Sequence, residues 1–224
     1  MNLHFDVAGQ SQGIDINHFV VAGWTGRDQG QVEHHIAELE ALGVARPSSV
    51  PLFYRVAASR LTQDSSIEVA GTETSGEVEP FVFRKENTYY LSIASDHTDR
   101  ALESHSVALS KQVCCKPVAR HAWPLEELIP RWDQLELRSW IVQDGREVLY
   151  QEGALNRMLP ITELLRHYAQ QHEIFHSGFA MTCGTLAAIG GIRPSHAFRM
   201  ELRDPATSRC IQHEYTTTTL PIVR

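Results

Sequence analysis

Apolar positions along the chain recur at two spacings. In QVEHHIAELEALG, residues 31–43, Val32, Ile36, Leu39 and Gly43 fall on one helical face, and Gly43 is placed to stop the helix. A second helical stretch, ITELLRHYAQQH, begins at Ile161. Elsewhere the period is two: PLFYRVAAS, SIEVAG, EPFVFR, TYYLSIAS, HSVALSKQV and LELRSWIV read as strands. QDGREVLY extends the last of these into a hairpin turning at Asp144-Gly145, and AFRMELRDPATSRCIQHEYT makes another turning at Asp204-Pro205. Residues 1–22 read as strand and loop, and ARPSSVP as a linker. The pattern predicts a strand-rich α/β domain with few helices.

Composition narrows the partners. The 224 residues suit one domain, 42% of them hydrophobic, and a formal net charge of −7 argues against nucleic acid. No apolar run approaches the ~18 residues of a membrane span. MNLHFDVAGQ lacks a basic patch followed by an apolar stretch, so neither a signal peptide nor membrane association is expected. Cys114, Cys115, Cys183 and Cys210 show no disulfide framework, which points to reduced thiols in a cytoplasmic protein.

The candidate chemistry sits in SGEVEP, residues 75–80. On a strand, Glu77 and Glu79 project to the same side, and two such carboxylates repel unless a cation or protons lie between them. Lys85-Glu86-Asn87 is a polar turn. A hairpin closing there sets position 79 across from about 93 and 77 from about 95, so that Asp96 arrives beside Glu77. Three hard oxygen ligands completed by water suit Mg²⁺ or Mn²⁺, and less well Ca²⁺. The alternative is a solvated strand edge. A separate motif, HEIFH, matches H-E-x-x-H; on a helix, His172 and His176 would hold zinc with Glu173 as base, the signature of a zinc peptidase.

Several segments in order resemble the fumarylacetoacetate hydrolase family, in a divergent form. Its E-x-E is similar to Glu77 and Glu79. Its N-D-x-S-x-R-D segment is similar to SDHTDRA, with Asp96 matching the metal ligand, Thr98 the hydroxyl residue and Arg100 the arginine. SKQVCCKP supplies Lys111 where the family has its active-site lysine. QLELRSWIVQDGREVLYQEGALNRML resembles the family hairpin, and CGT, 183–185, stands where it has T-G-T. GRDQGQVEHHIAE places His35 and Glu38 at the H-x-x-E of a cap helix. The chain departs from the family in the short interval between Glu79 and Asp96, in Arg55 for a lysine, and in Glu103 for a glutamine.

The resemblance implies a single catalytic domain over 1–224. Residues 1–50 would form a strand and a short N-terminal cap helix, and 51–224 a metal-binding mixed β-roll or β-sandwich, assembled as a homodimer. It implies Glu77, Glu79 and Asp96 on Mg²⁺ or Mn²⁺. His35, oriented by Glu38, would be general base, and Lys111 would stabilise developing negative charge. Arg55, Arg100, Glu103, Gly184 and Thr185 would contact substrate, although Arg100 also suits a structural ion pair. The implied reaction is hydrolytic C–C cleavage of a small dioxo or acyl-2-oxo acid through an enolate on the metal. Decarboxylation, hydration and tautomerisation of a related oxo acid are close alternatives, and a non-catalytic small-acid-binding protein is an alternative of another class.

Overall fold

The strands Val78–Lys85 and Thr88–Ser95 carry apolar side chains on both faces, the signature of strands covered from two sides. In the computed structural model, which describes residues 1–41, 46–172 and 177–223 apart from the side chains of residues 35, 38 and 39, they pair at the centre of a six-stranded mixed sheet. Its order is Trp123–Pro124, Thr88–Ser95, Val78–Lys85, Phe179–Thr182, His18–Gly23, Leu52–Val56. One face, through Val78, Val82, Leu91 and Ile93, packs on a five-stranded sheet and the helix Ile161–Gln171. That second sheet runs Arg146–Ala154, Glu136–Gln143, Ala197–Asp204, Arg209–Leu220, Ser66–Ala70. The opposite face, through Phe19, Val21, Phe81, Phe83 and Ala94, lies under the antiparallel pair Asn2–Val7 and Gln10–Asp15, which contributes Leu3, Phe5, Val7 and Ile14. The fold is therefore the strand-rich α/β arrangement expected.

Local signals explain most boundaries. The helix Gln29–Ala41 starts after Asp28, whose carboxylate accepts from the N–H groups of Gly30 (2.9 Å) and Gln31 (3.1 Å). Ile36 buries its inner face, while the expected stop at Gly43 lies outside the described residues. Asp144 (φ 51°) and Gly145 (φ 73°) form the hairpin turn with both central residues left-handed. Among the described residues no helix is long and apolar enough to cross a membrane. All four cysteines are free thiols.

Three expectations are corrected. HSVALSKQV is not a strand: Val107–Val113 is a helix, capped by Ser106, whose hydroxyl accepts from the Leu109 N–H at 3.3 Å. The helix Ile161–Gln171 ends before HEIFH, with His172 already extended (φ −140°, ψ 156°). Glu173 and His176, the other members of that motif, lie outside the described residues. Finally, the central hairpin closes with two turn residues, Glu86 and Asn87, not three. Lys85 pairs with Thr88 and Glu79 with Ala94, one residue out of the expected register.

Candidate active site

That one-residue difference decides the site. Continuing the observed register sets Asp96 directly opposite Glu77, and the Asp96 N–H donates to the Glu77 carbonyl at 2.9 Å. Residues directly opposite share a face, so Asp96 joins Glu77 and Glu79. The expected register would have turned it to the other side. One oxygen from each of Glu77, Glu79 and Asp96 lies within 4.8 Å of the others.

The three carboxylates differ electrostatically. Asp96 is fully buried between two lysines: Lys111 Nζ donates to Oδ2, and Lys116 Nζ lies 3.0 Å from Oδ1 while also donating to the His97 carbonyl. Burial pushes the Asp96 pKa up, but the two ammoniums outweigh it and hold the group well below the usual carboxylate range. Burial would also lower the Lys111 pKa; Asp96 and Glu77 outweigh this and raise it. Glu77 is raised by burial, against the pull of Arg100, whose Nη2 lies 3.2 Å from its Oε1. Glu79 makes no ion pair among the described residues. Its Oε2 accepts only the Gly184 N–H, at 3.0 Å, and burial, reinforced by Asp96, raises its pKa to about 8.

Lys111 reaches this cluster because its helix is inside out. Val107–Val113 buries Ser110 and Lys111 and leaves Leu109 55% and Val113 48% exposed. Lys111 Nζ also stands 5.8 Å from the centre of the Tyr54 ring. Strand alternation puts Arg55, the neighbour of Tyr54, on the other face, where Nη1 donates to the Phe19 carbonyl at 2.7 Å. Arg55 is thus away from the cluster, contrary to the substrate role implied for it.

Gly184 and Thr185 are close but committed to the protein. The Thr185 hydroxyl donates to the Val78 carbonyl (2.7 Å) and accepts from Gln151 Nε2 (2.7 Å). Gly184 has φ 93°, and a Cβ there would meet Thr25 Oγ1 at 1.8 Å, so only glycine brings this amide to Glu79. The Gly184 N–H and the Thr185 hydroxyl are thus engaged in positioning the ligand-bearing strand. Arg100 donates to Glu103 at 2.8 Å and to Ser75 Oγ at 2.7 Å besides pairing with Glu77, as a structural ion pair does. His35 and Glu38 lie on the helix Gln29–Ala41, and their side chains are outside the described residues.

Sequence reasoning missed Lys116 and Tyr215. Lys116 stands without acidic neighbours in VCCKPVA, and a lysine buried in such a run requires a partner from elsewhere in the fold. Tyr215, on the second sheet, is buried with its hydroxyl 2.8 Å from Ser95 Oγ and 2.9 Å from His97 Nδ1, the two neighbours of Asp96. Ser95 Oγ in turn accepts from the Glu77 N–H at 3.3 Å, and a Cβ on Gly76 would lie 2.5 Å from the Tyr215 oxygen. One hydroxyl thus braces both ligand-bearing segments. Tyr215→Phe is expected to weaken Mn²⁺ binding by roughly 10–100-fold, the usual worth of an outer partner. Calorimetric titration checks this, and an affinity equal to the parent's would show that the Tyr215 hydroxyl does not brace the ligands.

The donor set fits a hard divalent cation: three carboxylates converge, and one of them, buried without a paired cation, is costly to ionise until a cation arrives.

A model of the family described as Protein of unknown function (DUF2848) matches residues 22–215. No curated protein sequence matches the chain. Solved structures share its fold at low identity. A protein from Oleispira antarctica, provisionally named a fumarylacetoacetate isomerase/hydrolase, superposes with TM-score 0.68 at 15% identity, covering 96% of this chain and 99% of that one. A Yersinia pestis CO92 protein, provisionally placed in the fumarylacetoacetate hydrolase family, gives 0.67 at 17%, covering 96% and 100%. A 2-keto-3-deoxy-D-arabinonate dehydratase complexed with magnesium and 2,5-dioxopentanoate gives 0.64 at 16%, covering 95% and 77%. The likeness to fumarylacetoacetate hydrolases is therefore one of fold.

Proposed function

The chain belongs to the DUF2848 family, and from its fold and its cluster of carboxylates we propose a divalent-metal-dependent enzyme acting on a small dioxo or acyl-2-oxo acid. The observation that carries this reading is the convergence of Glu77, Glu79 and Asp96 beside the buried ammonium of Lys111. The same fold in a magnesium-bound dehydratase supports it. Glu77, Glu79 and Asp96 would hold Mg²⁺ or Mn²⁺. The ion supplies Lewis-acid polarisation of carbonyl oxygens. Lys111, held by Asp96 at the rim of the cluster, adds fixed positive charge where an oxyanion develops. His35 and Glu38, one turn apart on the cap helix, are assigned to activating water for hydrolytic C–C cleavage. Lyase chemistry on the same acids is the second reading, favoured by the dehydratase fold neighbour.

The test is a screen of acylpyruvates, fumarylpyruvate and oxaloacetate with purified full-length protein, with and without Mn²⁺. Turnover of at least one, abolished by chelator and restored by Mn²⁺, is expected. Pyruvate plus a free acid from an acylpyruvate indicates hydrolysis, and loss of water or CO₂ indicates the lyase. Absence of turnover together with absence of Mn²⁺ binding would overturn the proposal.

A further inference from the structure

We propose that Glu103 restricts this site to 2-oxo acids carrying a single carboxylate. This rests on the oxo-acid reading above and concerns which member of that class fits.

Exposure rises in one direction across the cluster. Asp96 is 0% exposed and Glu79 3%, while the side chains of Glu77 and Glu103 are 17% and 29% exposed. Glu103 is therefore the outermost carboxylate of the group, joined to Glu77 through Arg100. The cations that touch the cluster are already engaged. Lys111 and Lys116 both hold Asp96, and Arg100 is divided between Glu77, Glu103 and Ser75. A second carboxylate on the ligand's outer end would meet the Glu103 carboxylate, with the nearest guanidinium committed behind it.

The charge count agrees. The carboxylates of Glu77, Glu79, Asp96 and Glu103 face the cations of Lys111, Lys116 and Arg100; adding a doubly charged ion leaves one positive charge among these groups. One ligand carboxylate cancels it, and two overshoot. Like charges a few ångströms apart in a partly screened site disfavour the second carboxylate by about tenfold.

The test compares 2-oxopentanoate with 2-oxoglutarate, which share a carbon skeleton and differ by one terminal carboxylate. Both are titrated calorimetrically into Mn²⁺-loaded full-length protein and into Glu103→Gln, which keeps an acceptor for Arg100. The parent is expected to bind the monoacid about tenfold more tightly, and the variant to lose most of that ratio while retaining Mn²⁺. Equal or tighter binding of the diacid by the parent, or an unchanged ratio in the variant, would overturn the inference. If the variant loses Mn²⁺, the parent's ratio alone decides. Binding of neither acid by protein that holds Mn²⁺ would instead overturn the oxo-acid reading.

Discussion

Asp96→Asn is expected to destabilise the metal-free protein by about 3–5 kcal/mol, the range for breaking a buried ion pair from one side. The amide keeps the shape and removes the charge. Lys116, 0% exposed, and Lys111, 7% exposed, would then share no anion, and neither ammonium can reach bulk water without rearranging the site. Urea denaturation of chelator-treated protein at neutral pH measures the loss. Adding Lys116→Met to Asp96→Asn should restore part of the stability, since it removes one stranded charge, and the double-mutant cycle isolates the pair. A single variant within about 1 kcal/mol of the parent would contradict the two-lysine clamp, because surface changes typically fall near that level.

Glu79→Gln is expected to do the reverse. Mn²⁺ affinity should fall by more than the roughly 10–100-fold that an outer partner is worth, because a direct ligand is lost. The metal-free protein should hold or gain stability, since a carboxylate buried without a paired cation is replaced by an amide the Gly184 N–H can still serve. The pH dependence follows with a definite sign. The folded pKa of Glu79, about 8, lies above its ordinary value of 4.5. Its contribution is therefore fully present below the unfolded value and is lost as pH rises through about 8. Metal-free parent protein should lose stability over that window, and Glu79→Gln should lose less. Asp96 carries the opposite sign: its pKa is depressed, so its contribution is present above the ordinary aspartate range and lost on acidification below it. Identical pH profiles for parent and Glu79→Gln would rule out a buried, metal-seeking Glu79.

Much of this site can be read in the sequence, and the unread parts have a common cause. Glu77 and Glu79 are legible because period-two alternation links residues two apart on one strand, whereas Asp96 is legible from its SDHTDRA motif, since the expected register would have turned it away. The helix at 161 is legible because Ile161, Leu164 and Tyr168 point inward, and the helix at 29 buries Ile36. Val107–Val113 is misread because it turns Lys111 inward toward carboxylates and Leu109 outward, so its apolar residues sit at strand spacing. A segment that breaks the inside–outside rule in this way is expected at a functional site. Lys116 and Tyr215 escape notice for a different reason: their partners come from the 95–97 segment, whose contact with them exists only after the sheets pack. Arg55 is misassigned by one position, since its neighbour Tyr54 takes the inward side.

The tight Glu86-Asn87 reversal also limits how related chains can differ in length. An added residue in only one arm, between Glu79 and the bend or between the bend and Asp96, would slide that arm by one and put Asp96 on the opposite face from Glu77 and Glu79. Insertions here must therefore arrive as matched pairs, one per arm, or be confined to the tip. A homologue with an odd change inside either arm should have lost its affinity for divalent ions while keeping the architecture.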